Sequence, residues 1–177
     1  MTYSTGTPLK AVAGRLALDF VNTADWTPFD TVLKDRIASL ADIAAWSAQM
    51  GLAGAHWDGP LDEMRAFRAK VRQTLLGQGS LDLSVTLPKP EQPFALWLRR
   101  QALRDLVAAS ALSILADPRE LERVKLCPGH DCGWLFLDET KNARRKWCLM
   151  EVCGNRAKAS RHYARAIGQQ MDTPNVR

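Results

Sequence analysis

Cysteine is scarce in this chain and confined to one stretch. All four cysteines lie between positions 127 and 153, and the first 126 residues have none. Histidine numbers three and tyrosine two. No glycine-rich phosphate loop and no Ser, His and acid grouping occurs, so the sequence is read as a non-enzyme. No apolar run approaches the roughly 20 residues of a membrane span. The opening MTYSTGTPLKAVAG lacks the apolar stretch of a signal peptide. A soluble, cytoplasmic chain in a reducing compartment, with no membrane partner, is expected. Low-complexity tracts are missing too. At 177 residues the chain is long enough to bury about 70% of its unfolded surface without cross-links.

What is present is unevenly placed. Residues 1–118 hold 12 Lys and Arg against 12 Asp and Glu, whereas residues 119–177 hold 12 against 7, which accounts for the whole net charge of +5. Between Lys141 and Arg165 the count is 8 against a single acid, Glu151. Basic charge gathered in one segment points to a polyanionic partner, or to a solvated basic helix.

The spacing predicts an α+β fold, with a mostly helical domain over 1–118 and a small second unit over 119–177. RLALDFVN (15–22) alternates Leu16, Leu18 and Phe20 and reads as a short strand. ASLADIAAWSAQMGL reads as a helix, capped by Ser39, favoured at its start by Asp42 and stopped by Gly51. A second helix opens at Gly59-Pro60, with Met64, Phe67, Val71 and Leu75 on one stripe. LDLSVTL (81–87) alternates as a strand with one wet face, and PKPEQP (88–93) is a rigid loop. A helix over 94–116 turns Leu103, Leu106, Val107, Ser110 and Ile114 inward and ends at Asp117-Pro118.

Few polar residues in 1–118 stand out. Asp19 and Asn22 interrupt an apolar segment; such residues bind ligands or, more often, satisfy nearby backbone. His56 is read as a turn residue, and Trp46, Trp57 and Trp97 as core or rim aromatics.

The cysteines follow Cys127-x₄-Cys132-x₁₅-Cys148-x₄-Cys153. Tetrahedral Zn²⁺ takes four soft ligands, delivered as two close pairs from separate segments. A four-residue gap is at the long end of the usual range, but Pro128 and Gly129 tighten the first loop, and Gly133 and Gly154 follow the second cysteine of each pair. Those glycines are expected to free backbone N–H groups to face sulfur. Two disulfides or a redox switch are the alternatives, and a chain with its own core in a reducing compartment has little need of disulfides. His130, inside the first loop, is read as a bystander.

Between the pairs, GWLFLDE reads as a strand, ETKNA as a turn and RRKWC as a strand returning to the metal. A helix follows from CGNR and ends near Gly168. Knuckle, hairpin and helix make a treble-clef-like zinc finger, whose folding energy the metal supplies. On the helix, Ala157, Ser160, Ala164 and Ile167 are expected to pack against the hairpin. Lys158, Arg161, His162 and Arg165 fall at i, i+3, i+4, i+7 on an adjoining side, and Arg144, Arg145 and Lys146 crowd the returning strand. These seven are the candidate nucleic-acid contacts. Arg156 projects back toward the ligand loops, where it suits bonds to loop carbonyls. Trp147 is expected to cover the zinc site.

The run WLFLDETKNARRKWCLMEVCGNRAKA resembles the CGNR zinc finger, named for Cys153-Gly154-Asn155-Arg156. LALDFVNT and DIAAWSAQMGL resemble the ABATE domain paired with that finger. The resemblance implies zinc at Cys127, Cys132, Cys148 and Cys153, DNA binding through the finger, and the role of a stress-induced bacterial transcription regulator. On this reading the N-terminal domain senses a small-molecule ligand or forms a homodimer. An RNA- or protein-interaction module with a purely structural zinc is the alternative, and a binder or enzyme in 1–118 a further one.

Overall fold

The computed structural model describes residue 9, residues 11–79 and residues 102–171, with side chains described as far as 166. The strand expected at 81–87, the loop at 88–93, the first part of the helix expected from 94, and Trp97 lie outside the described residues. Helices outweigh strands, which form two small antiparallel pairs, so the class is α+β.

The segment expected as the first strand is a helix, α1 (Leu16–Val21). Ala17, Leu18, Phe20 and Val21 are fully buried, and α1 packs against two later helices and a strand. Burial on every side removes the wet face that tells one period from the other, so alternation misled. Asp19 anchors the entry: its Oδ1 accepts from the backbone N–H of Val12 at 2.9 Å and Ala13 at 3.0 Å.

A hairpin that sequence reading missed comes next. β1 (Ala24–Trp26) and β2 (Val32–Asp35) pair antiparallel, with Ala24 opposite Asp35. Thr27 Oγ1 holds the tip, accepting from the N–H of Phe29 and of Thr31. The turn-forming TPFDT was the available signal.

Helix α2 (Leu40–Gln49) starts and stops as expected. Ser39 Oγ accepts from the Asp42 N–H at 3.2 Å while Asp42 Oδ2 accepts from the Ser39 N–H at 2.8 Å, a reciprocal capping box. Gly51 follows at a φ of 77°. Helix α3 (Leu61–Leu75) buries the expected stripe of Met64, Phe67, Val71 and Leu75, and with it Arg68 and Arg72. Around Phe20 stand Trp46, Trp57 and Phe67, with ring centroids 5.9 to 6.4 Å away.

Helix α4 (Leu103–Ala116) turns Leu103, Leu106, Val107 and Ile114 inward, and half-buried Ser110 accepts from the Ala17 N–H at 3.0 Å. Asp117 ends it and caps the short α5 (Pro118–Leu121), accepting from the Arg119 N–H.

β3 (Val124–Leu126) and β4 (Leu135–Leu137) then pair antiparallel, with Leu126 opposite Leu135. The expected hairpin therefore has a different partner: GWLFLDE supplies β4, but RRKWC forms no strand. Side chains satisfy that stretch in place of a ladder. Lys125 Nζ donates to the carbonyls of Ala143 at 2.7 Å and Arg145 at 3.3 Å, and Ala143 turns the chain at a φ of 49°. A π-helical turn, Met150–Gly154, leads into α6 (Asn155–Met171), which runs past the stop expected at Gly168.

One apolar cluster contains residues of α1, β1, α3, α4 and β4 and all four cysteines. Asn22 stitches the two segments directly. Its Nδ2 donates to the Leu135 carbonyl at 2.7 Å, and its Oδ1 accepts from the Leu135 N–H at 3.0 Å. Both polar residues of the α1 segment, Asp19 and Asn22, thus bond backbone.

Candidate metal centre and basic helix

The first cysteine pair sits at the two ends of the β3–β4 turn. Cys127 follows β3 and donates its N–H to the Trp134 carbonyl at 2.9 Å, which extends the ladder by one bond. Cys132 closes the knuckle by donating to the Gly129 carbonyl at 3.0 Å. In the second pair, Cys148 precedes the π-helical turn and Cys153 lies within it, donating to the Leu149 carbonyl at 3.0 Å. The hairpin therefore encloses the first pair and does not separate the two pairs.

These turns bring all four Sγ atoms within 4.8 Å of one another, and all four residues are buried. Cys132 and Cys148 sulfurs are 3.7 Å apart, those of Cys148 and Cys153 3.6 Å. A disulfide needs about 2.05 Å. A tetrahedron of sulfurs at a Zn–S bond of about 2.3 Å has an edge of roughly 3.8 Å. The spacing fits zinc, and all four cysteines are free thiols. Thiols this close do not ionise independently. Hydrogen bonding with Cys132 drives Cys127 far below its ordinary value, while Cys148, bonded to Cys127, is driven far above it. A divalent cation resolves that conflict by stabilising all four thiolates. Cys127, Cys132, Cys148 and Cys153 are the residues that would hold it.

His130 takes no part. Its ring is largely exposed and lies 2.7 Å from Asp131 Oδ2.

The glycines act differently from expectation. The N–H groups that reach sulfur belong to Cys148, 3.5 Å from Cys127 Sγ, and to Trp134, which bonds Cys132. Gly133 donates instead to the Trp26 carbonyl at 2.8 Å, and Gly154 to the Leu149 carbonyl at 3.3 Å. What these positions require is the absence of a side chain. A Cβ on Gly133 would overlap the Thr27 carbonyl oxygen, and one on Gly154 would overlap the Met150 sulfur and press on Trp147. Trp147, half-buried against the core cluster, packs beside Gly154.

Arg156 points back to the loops, with Nη1 donating to the His130 carbonyl at 3.1 Å. Asn155 Nδ2 donates to the Glu151 carbonyl at 3.1 Å. The four residues of CGNR therefore supply a ligand, a close approach, a bond within the turn and a bond between the two knuckles.

The seven candidate nucleic-acid residues divide. Arg144, Lys146, Lys158, Arg161, His162 and Arg165 are exposed. Arg145 is not part of that surface. Its guanidinium donates to the carbonyls of Val12, Leu137, Trp147 and Cys148, and lies 4.5 Å over the Phe136 ring. It holds the returning chain in place of the missing strand. The apolar side of α6 also departs from expectation: Ser160 and Ala164 are exposed, and every residue from Lys158 to Ala166 faces solvent. Ile167 has its side chain outside the described residues.

Elsewhere, His56 is exposed, with Nε2 3.0 Å from Asp58 Oδ1; it stands in an isolated parallel β-bridge with Ala102 and not in the expected turn, its carbonyl accepting from the Leu103 N–H at 2.7 Å. Two buried arginines of α3 went unnoticed in the sequence, although their spacing placed them beside the apolar stripe. Arg68 pairs with Asp35, and Arg72 with Asp30.

Comparison with known proteins agrees with the cage. Residues 123–166 match the family model of the CGNR zinc finger. That match stops short of the N-terminal segment, to which the ABATE resemblance applied. No curated protein matches the chain. Among the described residues, no helix is long and apolar enough to cross a membrane.

Proposed function

Since residues 123–166 carry a CGNR zinc finger, we propose that the protein is a zinc-dependent DNA-binding transcription regulator. One observation carries the reading. Helix α6 leaves the metal cage directly after its last ligand, and from Lys158 to Arg165 every side chain is exposed. Lys158, Arg161, His162 and Arg165 line one side of it. An α-helix of that width fits the major groove of B-form DNA, with its cations toward phosphates. Zinc fixes the helix to the rest of the molecule, so the metal presents the contact surface and takes no chemical part.

The N-terminal segment would supply regulation, by taking a small-molecule ligand or by pairing two copies. Two copies suit a finger of this size, because a single small module buries little nucleic acid.

Tyr163, 68% exposed in the middle of the basic helix, is the observation that favours single-stranded RNA, since an exposed ring can stack on an unpaired base. Selection by the zinc-loaded full chain from random duplex DNA and random RNA pools separates the two. A recurring duplex motif supports the regulator. Enrichment confined to RNA replaces it with the RNA-binding reading, and no enrichment from either pool overturns both.

A further inference from the structure

The knuckle is held from outside the finger, by a residue far from it in sequence. Arg72, on the last turn of α3, is wholly buried. Its Nη1 donates to the Gly133 carbonyl at 2.6 Å, next to the ligand Cys132. Its Nε donates to Asp30 Oδ1 at 2.8 Å, and the guanidinium lies 4.7 Å over the Trp26 ring. Nη2 lies 2.8 Å from that same Asp30 oxygen but without hydrogen-bond alignment, so one face of the cation has no aligned acceptor among the described residues. The hairpin side of the contact is equally close, with Gly133 packed on Thr27 and bonded to the Trp26 carbonyl.

Burying a guanidinium is expensive unless charge compensates it. One carboxylate, Asp30, is itself partly exposed. The second negative charge in reach is the cage. Four thiolates around one divalent cation leave a net negative charge, and the Arg72 cation and the Cys132 thiolate attract each other. The Cys148 N–H reaches the cage at a different sulfur, that of Cys127, while Cys132 takes the Trp134 N–H, on the far side of the Gly133 carbonyl that Arg72 holds.

Resting on the zinc reading of the four cysteines, we infer that Arg72 is a positioning residue of the metal centre. It offsets part of the negative charge of the zinc–tetrathiolate unit and fixes Cys132 through the Gly133 carbonyl. The N-terminal segment thereby sets the affinity of the C-terminal metal site. Arg68 supplies the internal comparison: it is buried one turn earlier on α3 and paired with Asp35 of the same hairpin, but bonds no residue of the knuckle.

The test uses the full chain and zinc alone. Metal content of the wild-type protein comes first; a wild-type chain that takes up no zinc overturns the zinc reading and this inference with it. Competition against a chromophoric chelator then compares variants. Arg72→Gln is expected to weaken zinc binding by roughly 10- to 100-fold, and Arg72→Lys to recover most of the loss because it keeps the charge. In the cobalt(II)-substituted protein, Arg72→Gln is expected to move the thiolate-to-metal charge-transfer bands, and Arg68→Gln to leave them in place. Equal zinc affinity in wild type and Arg72→Gln overturns the inference. So does an equal loss in Arg72→Gln and Arg68→Gln, which would make the effect one of folding. If Arg72→Gln does not fold, Asp30→Asn decides: it frees the cation to face the cage, so zinc affinity should hold or rise, and a tenfold fall overturns the inference.

Discussion

Arg156 donates from Nη1 to the carbonyl of His130, 3.1 Å away, and so ties the start of α6 to the loop that carries Cys127 and Cys132. The bond explains why an arginine follows the last ligand by three positions: the first turn of a helix aims its side chains back toward the preceding loop. Arg156→Ala should speed zinc loss to a chelator while changing stability by about 1 kcal/mol. Stopped-flow chelation measures the first and urea unfolding the second. Unchanged zinc loss would contradict the role.

Gly133 and Gly51 offer a matched pair of glycine-to-alanine tests. At Gly133 a Cβ meets the Thr27 carbonyl, which is backbone and cannot move aside. At Gly51 the added Cβ meets nothing within 4 Å, though φ is 77°. Gly133→Ala should therefore cost about 3 kcal/mol or more and reduce bound zinc. Gly51→Ala should cost about 1 kcal/mol, from backbone strain alone, and leave zinc content unchanged. Urea unfolding and metal analysis read both.

The basic residues should separate into two groups. Arg145, with its guanidinium bonded to four carbonyls, holds the fold; Arg145→Ala should lower stability by roughly 3 kcal/mol, since it strands buried carbonyls. Arg161 and Arg165 face solvent. Replacing both with Ala should change stability by less than about 0.5 kcal/mol and flatten the salt dependence of DNA binding by about one per lost phosphate contact.

How much of this was legible in the sequence depended on whether the signal was local. The caps of α2 lie within a few residues of one another, and Ser39, Asp42 and Gly51 announced them. The paired cysteines were equally plain, because a metal cage needs its ligands at fixed chemistry and spacing. The strand reading of α1 failed because a wholly buried segment has no polar face to set its period. RRKWC failed for another reason: Lys125 satisfies the Arg145 carbonyl from 20 residues away and Arg145 bends back onto the Trp147 and Cys148 carbonyls, and no apolar alternation reports that. The exposure of α6 was hidden too, since Ala157, Ser160 and Ala164 suit a packed face and a solvated one alike. Arg68 and Arg72 were readable in principle, each standing directly after a stripe position, Phe67 and Val71.

Asp138 gives a pH prediction. Burial pushes its carboxyl up, but Lys125 at 2.5 Å and the Thr140 hydroxyl and N–H outweigh it and hold it below the usual carboxylate range. A depressed folded value means that Asp138 stabilises the protein above the ordinary aspartate value, near pH 4, and that this contribution fades as pH falls through the lower folded one. The Asp138 side-chain carboxyl resonance should accordingly titrate below the ordinary aspartate range; titration at or above that range would contradict the Lys125 pairing.

Zinc removal should loosen the N-terminal segment as well as the finger. The cysteines belong to the same apolar cluster as α1 and α3, and Asn22 and Arg72 bond β4 and the knuckle directly. Amide exchange in α1 and α3 should rise when a chelator strips the metal. Exchange that rises only after residue 118 would show that the two segments are independent.

The central claim is that zinc presents a basic helix to DNA, and fluorescence anisotropy of labelled duplex DNA with the full chain across a salt series tests it most directly. The account predicts binding by the zinc-loaded protein that weakens steeply as salt rises and disappears in Cys153→Ser. No binding by the zinc-loaded protein even at low salt, or equal binding by Cys153→Ser, would contradict it.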